Sequence, residues 1–155
     1  MNALTQPIIA GQPLAKSQHD LHNARSLLDA TLRFVRQQAQ VTDDPYVISR
    51  FGDLHIRIEV AAALLERAED VLNSVDDDTE ISVAIAESHL ASADALNAVS
   101  NAEFELTGQR TALPGSLDDP LRWKLHLIGN FRLNGIHPQA SGVLFDGPRN
   151  SSQRV

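Results

Sequence analysis

Apolar residues recur at three- and four-residue intervals over three long stretches of the chain and one shorter one, a period that predicts helices, each with a packed face. From Ser17 to Ala39 that face is Leu21, Ala24, Leu27, Leu28, Leu32 and Val35. A second stretch, from Pro45 to about Asn73, aligns Val47, Ile48, Phe51, Leu54, Ile58, Ala61, Ala62, Leu65, Ala68 and Leu72, with Arg50, Asp53, Arg57 and Glu66 on the other side. The third, from about Thr79 to Phe104 or Leu106, places Ile81, Ala84, Ile85, Ser88, Ala91, Ser92, Ala95, Leu96, Val99 and Ala102 together. Its small residues let a neighbouring helix approach closely.

The boundaries carry their own signals. Asp44 before Pro45 is a cap followed by a residue preset for the first helical position. The acidic run Asp76 to Asp78 suits the positive end of the third helix, and it lacks the spaced ligands and glycine of a calcium loop. The fourth helix opens on the same device as the second, Asp118 or Asp119 before Pro120, and stops at Asn134-Gly135 with Pro138 beyond. Four helices joined mainly by short polar turns predict an all-α, up-and-down four-helix bundle over residues 17–138, with the two long helices as antiparallel neighbours. Residues 1–16 read as an irregular lead-in and 139–155 as a mobile tail.

Composition narrows the function. The chain has 155 residues, enough for one domain, and a net charge of −7 with its 13 Lys and Arg scattered, which argues against a nucleic-acid partner. It has no Cys, which removes disulfide and thiolate chemistry, and no apolar run of membrane-spanning length. A cytoplasmic location is the expectation from these features.

Few residues suggest chemistry. His19 and His22 are one turn apart, without the glutamate-rich helices of a di-iron bundle, so no metal is expected. His55 reads as a half-buried packing residue, and His89 beside Glu87 and Ser88 lacks a nucleophile motif. No P-loop, zinc-protease helix or nucleophile elbow occurs, so no catalytic residue is assigned. The stretch from Phe104 to Pro138 holds more. In "FELTGQR" a glycine turn carries Thr107, Gln109 and Arg110, and such a turn offers a phosphate either backbone amides and a guanidinium, or nothing beyond an ordinary helix stop. In "LRWKLHLIGNFRLNG", Leu121, Leu125, Ile128 and Leu133 are spaced for packing, while Arg122, Trp123, His126 and Asn130 project from adjoining sides. An indole beside an imidazole and a guanidinium suits a flat aromatic ligand or covers the core.

"DPYVISRFGDLHIRIEVAAALLERAEDVL", "NAVSNAEFELTGQRTAL" and "DDPLRWKLHLIGNFRLNGIHP" together resemble the C-terminal helical domain of acyl-CoA dehydrogenase-like flavin enzymes. The resemblance runs from about Leu14 to Pro138 and is strongest to the reduced-flavin monooxygenases that act on organosulfur compounds. It implies a bundle that joins an N-terminal helical domain and a β-domain around a flavin, FMN rather than FAD. It implies cofactor-binding roles for Gly108 and Arg110 at the flavin phosphate, and for Arg122, Trp123, His126 and Asn130 on the closing helix. It also implies a homo-oligomer, dimer or tetramer, or a partner chain that supplies the other domains.

The sequence departs from that family at three points: the other two domains are not in this chain, "TALPGSLDD" replaces a longer connection, and Asp118 stands where the monooxygenases have a histidine. The expected function is therefore the C-terminal part of a flavin-dependent oxidoreductase that is not catalytic alone. The alternatives are a non-catalytic helical oligomerisation module derived from that family and an acyl-CoA dehydrogenase fragment.

Overall fold

The computed structural model describes residues 12–113 and 121–135, with the side chains of 121–123 left aside. Four helices follow one another: α1 (Ala15–Arg36), α2 (Pro45–Ser74), α3 (Asp78–Thr107) and α4 (Leu121–Asn134), with a single 3-10 turn at Val41–Asp43 between α1 and α2. Among the described residues there is no strand, and the protein is an all-α helical bundle. Among the described residues no helix is long and apolar enough to cross a membrane.

The predicted starts hold where the described residues reach them. Asp44 caps α2 by accepting from the amides of Tyr46 at 2.8 Å and Val47 at 3.4 Å, with Pro45 in the first turn. Asp77 caps α3 through the Thr79 amide at 2.8 Å, and Asp78 and Glu80 follow in its first turn. α1 differs from expectation at both ends. It begins at Ala15, inside the expected lead-in, because Leu14 is already buried in the core. It ends at Arg36 rather than Ala39, because the chain turns through Gln40 in the left-handed region at φ 73°. α4 stops as expected at Gly135, whose φ is 63° and whose amide donates to the Phe131 carbonyl. The expected cap at Asp118 or Asp119, Pro138 and the tail at 139–155 lie outside the described residues.

α3 is the centre of the molecule, and α1, α2 and α4 all pack on it. Leu21, Ala24 and Leu27 from α1, Leu54, Ile58, Ala61 and Leu65 from α2, and Ala84, Ala95, Leu96, Val99 and Ala102 from α3 form one core. The expected single packed side of α3 is too narrow. Val83, Ala86 and Ser100 are buried as well, outside that face. Two members of the apolar series on α2 point away from this core: Ile48 is 57% exposed and Leu72 38% exposed. Val71 occupies the buried position next to Leu72.

Ion pairs fix the direction of α2 against α3. Arg50 reaches Glu105 at 3.2 Å, Arg57 reaches Asp94 at 2.8 Å and Arg67 reaches Glu87 at 2.7 Å, so the two long helices run antiparallel. Pairs this exposed add little stability, about 0.5 kcal/mol each, but they record the register.

The direction of α4 follows from reach. Arg132 meets Glu87 at 2.9 Å, and Thr111 is fastened to Glu103. If α4 ran parallel to α3, the chain between Thr111 and Leu121 would have to span about 40 Å along the α3 axis. Ten extended residues reach about 35 Å at most. α4 therefore runs antiparallel to α3, and its first turns lie toward the C-terminal end of α3.

Candidate functional site

The exit of α3 is a turn held almost entirely by its own side chains. Gly108 takes the left-handed conformation at φ 71°, which glycine adopts without steric cost, and its amide donates to the Phe104 carbonyl at 2.9 Å. The Thr107 hydroxyl donates to the Glu103 carbonyl at 2.7 Å and accepts from the Gln109 amide at 3.1 Å. Glu103 is buried, and its carboxylate accepts from the Thr111 amide at 3.0 Å and from the Thr111 hydroxyl at 2.6 Å. The chain is thus folded back onto the last two turns of the helix.

Arg110 is aimed by that fold. Its guanidinium donates to Ser100 Oγ at 3.2 Å and Asn101 Oδ1 at 3.3 Å, and it lies 5.4 Å from the centre of the Phe104 ring. All three partners are neutral, so the positive charge of an exposed residue remains uncompensated by any of them. Phe104 is 55% exposed, an open apolar ring under a cation.

Beside this turn sits a second cluster. The Tyr46 hydroxyl donates to Glu105, whose other oxygen accepts from Arg50 Nε at 3.2 Å. The Tyr46 hydrogen bond is the main force holding the Glu105 carboxyl below its ordinary pKa, with Arg50 adding to it. The same bond raises the Tyr46 phenol.

On α4, the Asn130 side-chain amide donates to His126 Nε2 at 3.1 Å, and Asn134 donates to Asn130 Oδ1 at 3.1 Å. His126 is exposed and Asn130 partly buried. The side chains of Arg122 and Trp123 are outside the described residues. No hydrogen bond joins His126 or Asn130 to Arg110, although the antiparallel course of α4 carries its first turns toward the end of α3 where Arg110 folds back.

Within the turn the amides of Gly108, Gln109 and Thr111 are taken, and the guanidinium of Arg110 is held beside them. One expectation needs correction. His55 is exposed rather than half-buried, since Leu54 and Ile58 face the core and residue 55 turns away from both. His89 hydrogen-bonds through Nε2 to the Pro13 carbonyl at 3.1 Å and ties the start of α1 to α3. No group of three or more His, Asp or Glu that could hold a metal occurs among the described residues.

Glu103 and Thr111 escaped the sequence reading. The signal was an acid in the last turn of a helix, where the dipole disfavours negative charge, beside the apolar Ala102. An acid placed there needs a donor nearby, and Thr111 is that donor.

Comparison with known proteins shows homology to monooxygenases over 74% of the chain. The relatives are dibenzothiophene monooxygenases. That of Rhodococcus erythropolis is 27% identical over 146 residues, covering 74% of this chain and 35% of the relative. That of Rhodococcus qingshengii gives the same figures, and a second one from Rhodococcus erythropolis is 29% identical over 147 residues with the same coverage. The chain therefore spans about a third of the length of the curated relatives it matches. The aligned span of 146 residues also exceeds 74% of a 155-residue chain, so the relatives carry intervening residues that have no counterpart here. No family model matches the chain, and no solved structure matches it significantly.

Proposed function

We propose that this chain is the C-terminal helical domain of an acyl-CoA dehydrogenase-like, flavin-dependent monooxygenase with an organosulfur-type substrate, working with domains it does not itself contain. The observation that carries the reading is Arg110: a guanidinium whose partners among the described residues are neutral, held at the end of the bundle by a turn that its own sequence builds. A phosphate meeting that group would gain a charge-assisted, two-pronged contact without having to displace a carboxylate. Gly108 supplies the reversal that returns Arg110 to α3, and Phe104 offers an apolar surface beneath it. Arg122, Trp123, His126 and Asn130 belong to the same site in this reading, on the α4 turns that approach from the other side.

The cofactor supplies the oxygen chemistry when bound. The residues of this chain bind and orient it, FMN in preference to FAD, and exclude water from one side. None of them is assigned a proton-transfer or nucleophilic role. The shortened connection "TALPGSLDD" favours a second reading, a bundle that has kept its shape and lost its site.

Isolation of the chain from its own cells under gentle conditions distinguishes the two. The expected result is a complex with a larger partner chain and near-stoichiometric flavin, from which Arg110→Ala releases the flavin more readily. Multiples of 16.9 kDa without flavin would overturn the proposal and leave the second reading.

A further inference from the structure

α4 is fastened to the bundle on different terms from the other three helices. α1 and α2 pack on α3 and on each other, and their apolar residues join those of α3 in one core. α4 packs on α3. The side it turns to the bundle is Lys124, Leu127, Ile128 and Phe131, spaced at three and four residues. Leu127, Ile128 and Phe131 stay half-buried, none of them enters that core, and the buried member of the side is a lysine. Leu125 and Leu133 face water, 61% and 84% exposed. The described side chains of α4 therefore contribute little of the apolar burial that holds α1, α2 and α3 together.

Nor does this helix stand well by itself. It has 14 residues, a length at which even alanine-rich sequences are only marginally helical in water. Gly129 lies inside it without a positive φ, and His126 and Asn130 are weaker helix formers than leucine or alanine. A Cβ at Gly129 would meet no atom within 4 Å, so no close approach of α3 requires glycine there. Near the end of this stretch lies a polar contact: Arg132 donates to one oxygen of Glu87 at 2.9 Å, while the other oxygen accepts from Arg67 of α2 at 2.7 Å.

We infer that α4 is a separable unit of the bundle. It undocks from α3 and loses its helix while α1, α2 and α3 stay folded, and the Glu87–Arg132 pair sets how often it does so. Segments with few buried apolar contacts open at a lower free energy than the whole protein, and among the four helices α4 is the one that fits this description. His126 and Asn130 leave with it, so on the flavin reading the site is complete only while α4 is docked. The opening itself does not rest on that reading, and its test needs no flavin.

Native-state hydrogen exchange of the full chain, followed amide by amide, provides that test. Amides of residues 127–134 should exchange about a hundredfold or more faster than those of Leu54, Ile58, Ala95 and Val99. Arg132→Gln removes the ion pair and keeps a comparable helix former; it should speed exchange in α4 roughly threefold. Arg67→Gln leaves Arg132 its partner and should not speed it. Gly129→Ala should slow exchange in α4 roughly fourfold, because the open state has lost the helix that alanine favours. Ile58→Val weakens the core of α1, α2 and α3; it should speed exchange of the core amides roughly fivefold and leave α4 unchanged. Exchange of α4 in step with the core, or an Ile58→Val effect that reaches α4 in full, would overturn the inference. An α4 indifferent to Arg132→Gln, or answering as strongly to Arg67→Gln, would overturn the role given to the Glu87–Arg132 pair. An α4 unmoved by Gly129→Ala would overturn the loss of helix on opening.

Discussion

At its N-terminus α3 starts on one side chain, Asp77, which accepts from the Thr79 amide. At its C-terminus the same helix closes through Glu103, Thr107, Gly108, Arg110 and Thr111, linked by hydrogen bonds that return the chain to the helix surface. A helix end exposed to water needs only a cap, and the turn from α2 to α3 has no more than that. The elaborate end fixes a cationic side chain in one place. It costs a buried carboxylate, which is tolerable only because the carboxylate has its donors.

The contrast can be broken by substitution. Glu103→Ala should have the largest effect, since it removes the charged acceptor of the part-buried hydrogen bonds from Thr111; a loss of about 2 kcal/mol is expected in chemical denaturation. The same variant should speed hydrogen exchange at the Thr111 amide, which local protection measurements would detect. Gly108→Ala comes next, at about 1.5 kcal/mol, because the left-handed backbone strains a Cβ even where no atom crowds it. Asp77→Ala at the simple end should cost about 1 kcal/mol. If Asp77→Ala proved as costly as Glu103→Ala, the two ends would not differ in the way the geometry describes.

The smallest effect belongs to pH. Glu105 is held below its ordinary value of 4.5, so it binds protons less readily in the folded protein than in the unfolded chain. Its contribution is therefore fully present above the unfolded value and is lost as pH falls through the folded one. Tyr46→Phe removes the principal cause and should move the Glu105 titration, followed by NMR, back toward 4.5. An unmoved titration would show that Arg50 alone sets it.

Much of the architecture was legible because it is local. The periods of α1, α2 and α3, the cap at Asp44, the acidic start of α3, and the stops at Gly108 and Gly135 each depend on residues within a turn or two. The outward Ile48 and the exposed His55 were not legible, since a helix pattern gives the direction of a face and not which neighbour stops where. For the candidate site, "FELTGQR" announced the turn and Arg110. That the amides of Gly108, Gln109 and Thr111 are taken within the turn emerged only from the folded geometry.

By itself, then, the sequence determined where this chain is helical, how α2 starts and where α3 and α4 stop, since helix propensity, capping and glycine conformation act over a few residues. Only the tertiary structure decided that α3 is buried on several sides, that Glu103 reaches Thr111 eight residues on, and that Arg67 and Arg132 meet at Glu87. Those outcomes require helices far apart in sequence to occupy the same space, and the contacts that select them do not exist until the helices have docked.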